Sequence, residues 1–316
     1  VSTGTITLPP DAGNEGGAIR ARLLAPVRNG DLAALCDSWF HTDITWRIAG
    51  CSAMADDPAF AGKLRGAFGT VLKAGASPQA LAKQPCPWDP PCGFEVLFRK
   101  QGRMSAGLDL ASPWVVAIDR MRSHLSITLR VFGFACDYLP AAAEAMTQAI
   151  AGRCGLEKLA PGNCVTIESR RFASVDHLVH ATEPRALTLD FMSPVSLSGQ
   201  SVLHAPHVLI GTLPARIETV ARWMDMQLIH DRDAYRVAAQ MVDLHWEDTE
   251  KCNWMRWSGQ QGRQIPMSGL RGRLHIRGAP AALAVLEPAL RIGAFTHCGA
   301  DIAFGLGRYM LLDDRY

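Results

Sequence analysis

Apolar positions along this chain switch between a period of two and a period near 3.6, and the switches mark out elements. In residues 43–50, Ile44, Trp46 and Ile48 alternate with polar or small positions, as in a half-buried strand. In residues 58–75, Phe60, Leu64, Phe68 and Val71/Leu72 keep helical spacing. Gly62, Gly66 and Gly69 fall inside that helix at about 1 kcal/mol each, so a close approach by another backbone or a phosphate is expected there. Residues 113–119 and 125–133 read as strands. Residues 137–152 read as a helix with Asp137 as N-cap, Pro140 in its first turn and Gly152 at its end. A strand is expected over 163–172. The order β-α-β-β-α-β is the ferredoxin-like plan.

The second half repeats it. Leu187, Leu189 and Phe191 alternate. Ile217, Val220, Ala221, Met224 and Leu228 form a helical stripe. A further helix is expected around 234–246. Residues 251–259 and 269–278 are candidate paired strands. Leu283, Leu286 and Leu290 mark a helix stopped by Gly293, and 306–314 is the last strand. The fold class is therefore α+β: two tandem ferredoxin-like domains, 41–172 and 186–316, joined by a linker at 173–185. The second carries a helical insertion and a C-terminal glycine-rich loop. Residues 1–40 form an N-terminal extension, a loose Gly/Pro-rich arm over 1–30 followed by a short helical turn over 31–36.

Length and composition agree with this division. The 316 residues exceed what one compact core usually needs, and 48% are hydrophobic. No run approaches eighteen apolar residues, so no membrane span is expected. The opening VSTGTITLPP has neither a basic region nor a long apolar run, unlike a signal peptide. Nine scattered cysteines read as reduced thiols in a cytoplasmic protein. Cys86 and Cys92 lack the spacing of a zinc pair, HAPH (204–207) reads as loop, and HLVH (177–180) lacks a zinc hydrolase's glutamate. No cofactor signature is present: Gly305 and Gly307 spell G-x-G, but a strand follows where a dinucleotide site needs a helix.

Charge changes the picture more. The net value is only +2, yet residues 251–316 hold nine Lys/Arg against four Asp/Glu, giving +5 there and −3 before it. In GLRGRLHIRG (269–278), Arg271, Arg273, His275 and Arg277 take every second position, with Leu270, Leu274 and Ile276 between them. A strand with guanidinium groups about 7 Å apart on one face suits a row of phosphates. In WMRW (254–257), Trp254 and Trp257 bracket Arg256. They read as core, or as one core residue and one base-stacking residue.

FGLGRY after THCG (296–309), with GLRGRL before it, resembles the C-terminal glycine-rich signature of the RAMP superfamily. Within it the resemblance is to the CRISPR-associated endoribonucleases that cut repeat precursor RNA. AGKLRGAFGTVL (61–72), CPWDPPCGFEVLF (86–98) and MRWSGQQGRQIPMSGLRGRL (255–274) are similar to family segments in family order. The resemblance implies two ferredoxin-like domains, with CRISPR repeat or guide RNA and other CRISPR effector subunits as partners. It implies metal-independent cleavage by the ribose 2′-OH to a 2′,3′-cyclic phosphate.

Such chemistry needs proton transfer and cations that hold the charged phosphorane. The family's histidine near the first helix has no counterpart, since residues 42–123 contain no His. His41 and His297 are the candidates for proton transfer, with arginine- or lysine-assisted cleavage as the other route. Lys63, Arg65, Arg256, Arg263, Arg271, Arg273 and Arg308 are expected to contact RNA. A non-catalytic RAMP subunit that binds or caps guide RNA would share the basic strand and glycine loop.

Overall fold

The computed structural model describes residues 17–153, 168–173, 186–199, 201–259 and 261–313. The expected linker from 174 onward, the HLVH segment and the start of the expected 163–172 strand lie outside the described residues.

In chain order, α1 (Ala18–Leu24), β1 (Arg28–Gly30) and α2 (Leu32–Asp37) come first. They precede β2 (Phe40–Ala49), α3 (Phe60–Ala74), α4 (Pro78–Leu81) and α5 (Gly93–Leu97). The small hairpin β3 (Arg103–Ser105)–β4 (Leu108–Asp109) leads to β5 (Trp114–Arg120), β6 (His124–Phe132), α6 (Leu139–Arg153) and β7 (Glu168–Ala173). β5, β6, β2 and β7 lie side by side in that order, every pair antiparallel. Ile44, Trp46, Ile48, Leu125, Ile127 and Leu129 are buried on the face that meets α3 and α6. Phe60, Leu64, Phe68 and Leu72 bury the matching stripe of α3, as its spacing predicts.

The second unit has the same plan. It runs β8 (Ala186–Val195), α7 (Pro206–Gly211), α8 (Leu213–Ala221), β9 (Met226–Leu228), α9 (Arg232–Gln240), β10 (Asp243–Ser258), β11 (Arg263–Arg277), α10 (Pro280–Thr296) and β12 (Tyr309–Asp313). The sheet order is β10-β11-β8-β12. Both sheets thus place their second, third, first and fourth strands in sequence, the ferredoxin-like α+β arrangement. β8 pairs with β11 only between Leu270 and Arg277, so the rest of the β10–β11 hairpin projects beyond the sheet.

Several expectations are corrected. α9 ends at Gln240, and β10 starts where a helix was expected to continue. Asp137 lies in a 3-10 turn before α6 rather than at its cap. α10 runs through Gly293, where a Cβ would stand 2.2 Å from the Tyr309 hydroxyl. The missing side chain lets that hydroxyl donate to the Leu290 carbonyl. The described part of the arm is not loose. Ile19 and Leu23 are buried, and β1 pairs in parallel with β9 of the second unit.

Other contacts join the units. Trp223 Nε1 donates to the Ala111 carbonyl at 2.8 Å, and the Arg130 guanidinium donates to the Phe295 carbonyl at 3.3 Å. Arg308 pairs with Asp119 at 2.6 Å. The glycine-rich loop belongs to this junction. Gly305 (φ 77°) would place a Cβ 2.8 Å from that of Ala61 and 3.3 Å from the Val116 carbonyl. Gly307 (φ 71°) would drive one to 1.7 Å from the Cys298 carbonyl. These glycines of the expected glycine-rich loop are held by contacts within the protein.

Candidate nucleic-acid interface

A cleft of about 870 Å³ opens between the units. Its walls come from α3, the β3–β4 hairpin, α8, the tip of the β10–β11 hairpin and residues 298–304. Four cations line it: Arg65, Lys100, Arg216 and Arg256, against the carboxylates of Asp109 and Asp301. Asp109 is already 3.4 Å from Arg103.

Phe304 organises the centre. The Arg65 guanidinium carbon lies 4.7 Å from the Phe304 ring centroid, and that of Arg256 lies 4.4 Å from it. Arg65 also stacks on Phe98 at 4.8 Å. Cation–π contact holds each guanidinium in place without neutralising it. Burial, and secondarily the neighbouring Arg256, pull the Arg65 pKa below its ordinary value. The Nε atoms of both residues are buried without a hydrogen-bond partner, and no ion pair to either is found among the described residues. Two like charges beside one ring are an unfavourable arrangement unless an anion joins them.

The cleft floor is bare helix backbone. A Cβ at Gly66 would meet nothing within 4 Å, and one at Gly62 would clear Phe304 by 3.7 Å. The third glycine has a different use. Gly69 makes room for the Phe98 ring, which would otherwise stand 2.2 Å from a Cβ. Arg216 donates from Nε and Nη2 to the Thr296 carbonyl at 3.2 and 3.1 Å. Burial lowers its pKa to about 10, so it stays cationic at neutral pH.

The residues singled out from sequence divide sharply. Arg65 and Arg256 meet in the cleft. Arg263 lies at the hairpin tip, its Nε bonded to Gln261 at 3.0 Å. Arg271 and Arg308 line a smaller recess between the units. Lys63 is exposed and paired with Asp57 at 2.9 Å. The alternating stripe is not a free cationic face. Arg273 sits 3.9 Å from Asp190 and 3.7 Å from Asp248. His275 Nε2 is 2.8 Å from Glu247, and this contact holds the Glu247 carboxyl below its usual range. Gly272 (φ 141°) bulges the strand where the register with β10 slips, which brings these carboxylates alongside.

Neither candidate histidine reaches the cleft. His41 is fully buried on β2, and its Nδ1 accepts from Trp39 Nε1 at 2.7 Å. Phe295 of the second unit packs over it, ring centroids 5.3 Å apart. Burial first, then Arg130, lower its pKa to about 3. His297 is equally buried at the end of α10, beside a closed-in cavity of about 160 Å³ shared with Asp43, Arg130 and Arg308. Burial and those arginines push its pKa well down. Both are neutral at physiological pH and sealed from solvent, which removes them from proton transfer in the cleft.

Lys100, Arg216 and Phe304 were missed in the sequence. A lone arginine in the otherwise apolar stripe of α8 was the available signal for Arg216.

Two sheet-and-helix units around a cationic cleft define a tandem ferredoxin-like protein with a candidate anion-binding site. Residues 189–309 match the family described as CRISPR-associated endoribonuclease Cas6, and residues 46–187 match a family described as an N-terminal domain. Over that C-terminal stretch the chain is similar to the Cas6 endoribonucleases. Among solved structures, a Cas6 product complex is 15% identical with a TM-score of 0.50, over 87% of this chain and 99% of that one. Thermus thermophilus Cas6 is 13% identical with a TM-score of 0.49, over 87% and 99%. A sequence search of curated proteins gives no match. The likeness at 0.50 concerns the fold and agrees with the tandem ferredoxin-like architecture.

Proposed function

We propose that the chain binds CRISPR repeat RNA in this cleft and cleaves precursor transcripts there without a metal ion, keeping the product for other CRISPR subunits. The arginine pair on Phe304 carries this reading. It presents two uncompensated positive charges to an anion, over a helix backbone cleared of side chains at Gly62 and Gly66. The match of residues 189–309 to the Cas6 family supports CRISPR repeat RNA as the anion.

The reaction is attack by the ribose 2′-oxygen on the adjacent phosphorus. The P–O5′ bond breaks, giving a 2′,3′-cyclic phosphate and a 5′-hydroxyl. Arg65 and Arg256 hold the phosphorane's extra negative charge, which grows in the transition state. A guanidinium is a poor proton donor, so the 2′-OH proton passes to water, and the leaving oxygen takes its proton from water or the Lys100 ammonium. This route is slow, and slow chemistry is sufficient for a processor that keeps its product.

The test is cleavage of cognate repeat RNA in EDTA by the purified protein. Arg65→Ala or Arg256→Ala should lower the single-turnover rate by about 10²–10³. A requirement for a divalent ion would overturn the mechanism. The second reading, a subunit that holds guide RNA without cutting it, is favoured by the absence of any histidine from the cleft lining among the described residues. Tight binding with no cyclic-phosphate product in wild type selects it.

A further inference from the structure

The β10–β11 hairpin has two faces, and the cleft meets the outward one only at its rim. Cys252, Trp254 and Arg256 turn inward and are half-buried; Lys251, Asn253, Met255 and Trp257 turn outward. Trp257 is 64% exposed and Met255 48%. Opposite them across the hairpin stand Gln264 and Pro266, with Ser268 opposite Asn253. An indole this exposed is unfavourable on a free surface, and it is not isolated, for Trp257 also lines the cleft rim beside Arg256. At the far end of the row, Lys251 and Asn253 line an adjoining cavity of about 470 Å³ whose other wall carries Ser196, Ser198 and Ser201, with the Asp301 carboxylate at its border with the cleft.

The row therefore begins at the cationic cleft and ends at a hydroxyl-rich pocket with one ammonium group. Outward side chains of a strand recur about every 7 Å, so Trp257, Met255 and Asn253 offer successive footholds along one line. A π-face accepts any base, a thioether packs on the next, and amide, hydroxyl and ammonium groups suit ribose and phosphate. A duplex has its bases stacked internally and offers none to an indole; an unpaired strand does.

We propose that the outward face of this hairpin is a track for single-stranded RNA, with Trp257 as the stacking platform for the first unpaired nucleotide outside the cleft. This rests on the cleft reading, because the strand must arrive from the phosphates held by Arg65 and Arg256. It assigns the cleft's substrate an unpaired segment of about three nucleotides beside those phosphates.

The experiment measures binding of three labelled probes of equal length: an oligouridine, the same backbone with abasic sugars, and an RNA duplex. Trp257→Ala should weaken the oligouridine roughly tenfold and leave the abasic strand and the duplex unchanged. Trp257→Phe should recover most of the loss, which a folding defect would not. Arg256→Ala should weaken all three. If Trp257→Ala leaves the oligouridine unchanged, or weakens all probes equally, the track is wrong while the cleft stands. If Arg65→Ala and Arg256→Ala change nothing, the cleft reading falls and the track with it.

Discussion

At position 65 a guanidinium is held between two aromatic rings, and at position 256 a second one shares the lower ring. Neither charge has a carboxylate partner among the described residues, whereas Arg273 has two nearby and Arg308 has one. Salt dependence should separate these groups. Arg65→Ala is expected to flatten the log–log slope of RNA affinity against salt by about one unit, and Arg273→Ala to leave it unchanged. Equal slopes for both variants would contradict the assignment. The distinction was not legible in the sequence. Alternation put Arg271, Arg273 and His275 on one face, but Asp190, Glu247 and Asp248 come from other parts of the sheet and arrive only through strand pairing. His41 was misread for a related reason. It lies on the strand face that alternation assigns to solvent, and Phe295 from the other unit covers it.

His41 also has a thermodynamic signature. Its folded-state pKa of about 3 lies below the unfolded value of about 6.5. The unfolded chain therefore takes up a proton first as pH falls. Stability is full above about pH 6.5 and declines down to about pH 3, by roughly 1.4 kcal/mol per pH unit for one such group. Denaturant titrations at pH 7 and 5 should show a smaller difference for His41→Gln than for wild type. An unchanged difference would mean that the histidine is protonated inside the fold.

Among the elements, α3 was the most legible, because Phe60, Leu64, Phe68 and Leu72 declare its buried stripe. Its glycines were expected to admit another backbone or a phosphate; within the protein, Gly69 admits the Phe98 ring, and Gly62 and Gly66 leave open space. The α9–β10 boundary was not legible: Tyr235, Ala238 and Ala239 set a helical period that Val242 and Trp246 continue in the sequence. The glycine-rich loop forms a latch between the two units, with Gly305 set against Ala61 and Val116. Gly305→Ala, forced to keep a positive φ against Ala61, should cost about 1–3 kcal/mol in denaturant unfolding. Gly66→Ala should stabilise the helix by about 1 kcal/mol and should reduce RNA affinity by narrowing the cleft floor. A Gly305→Ala protein as stable as wild type would show that the latch yields freely.

Across the whole molecule, the two repeated units were legible from the order of periods, but their junction was not. Its members, Trp223 with Ala111, Arg130 with Phe295, Arg308 with Asp119 and β1 with β9, are scattered through the chain. Joined at so many points, the units should melt together. Calorimetry should give one transition with matching calorimetric and van't Hoff enthalpies. Two resolved transitions would show that each half stands alone.

Phe304 and Gly305 are consecutive residues. One is the cushion under both unpaired arginines; the other is the peg set between Ala61 and Val116. The cushion is spliced directly to the peg, so the ring that carries both arginines is anchored in the seam between the halves with no intervening chain.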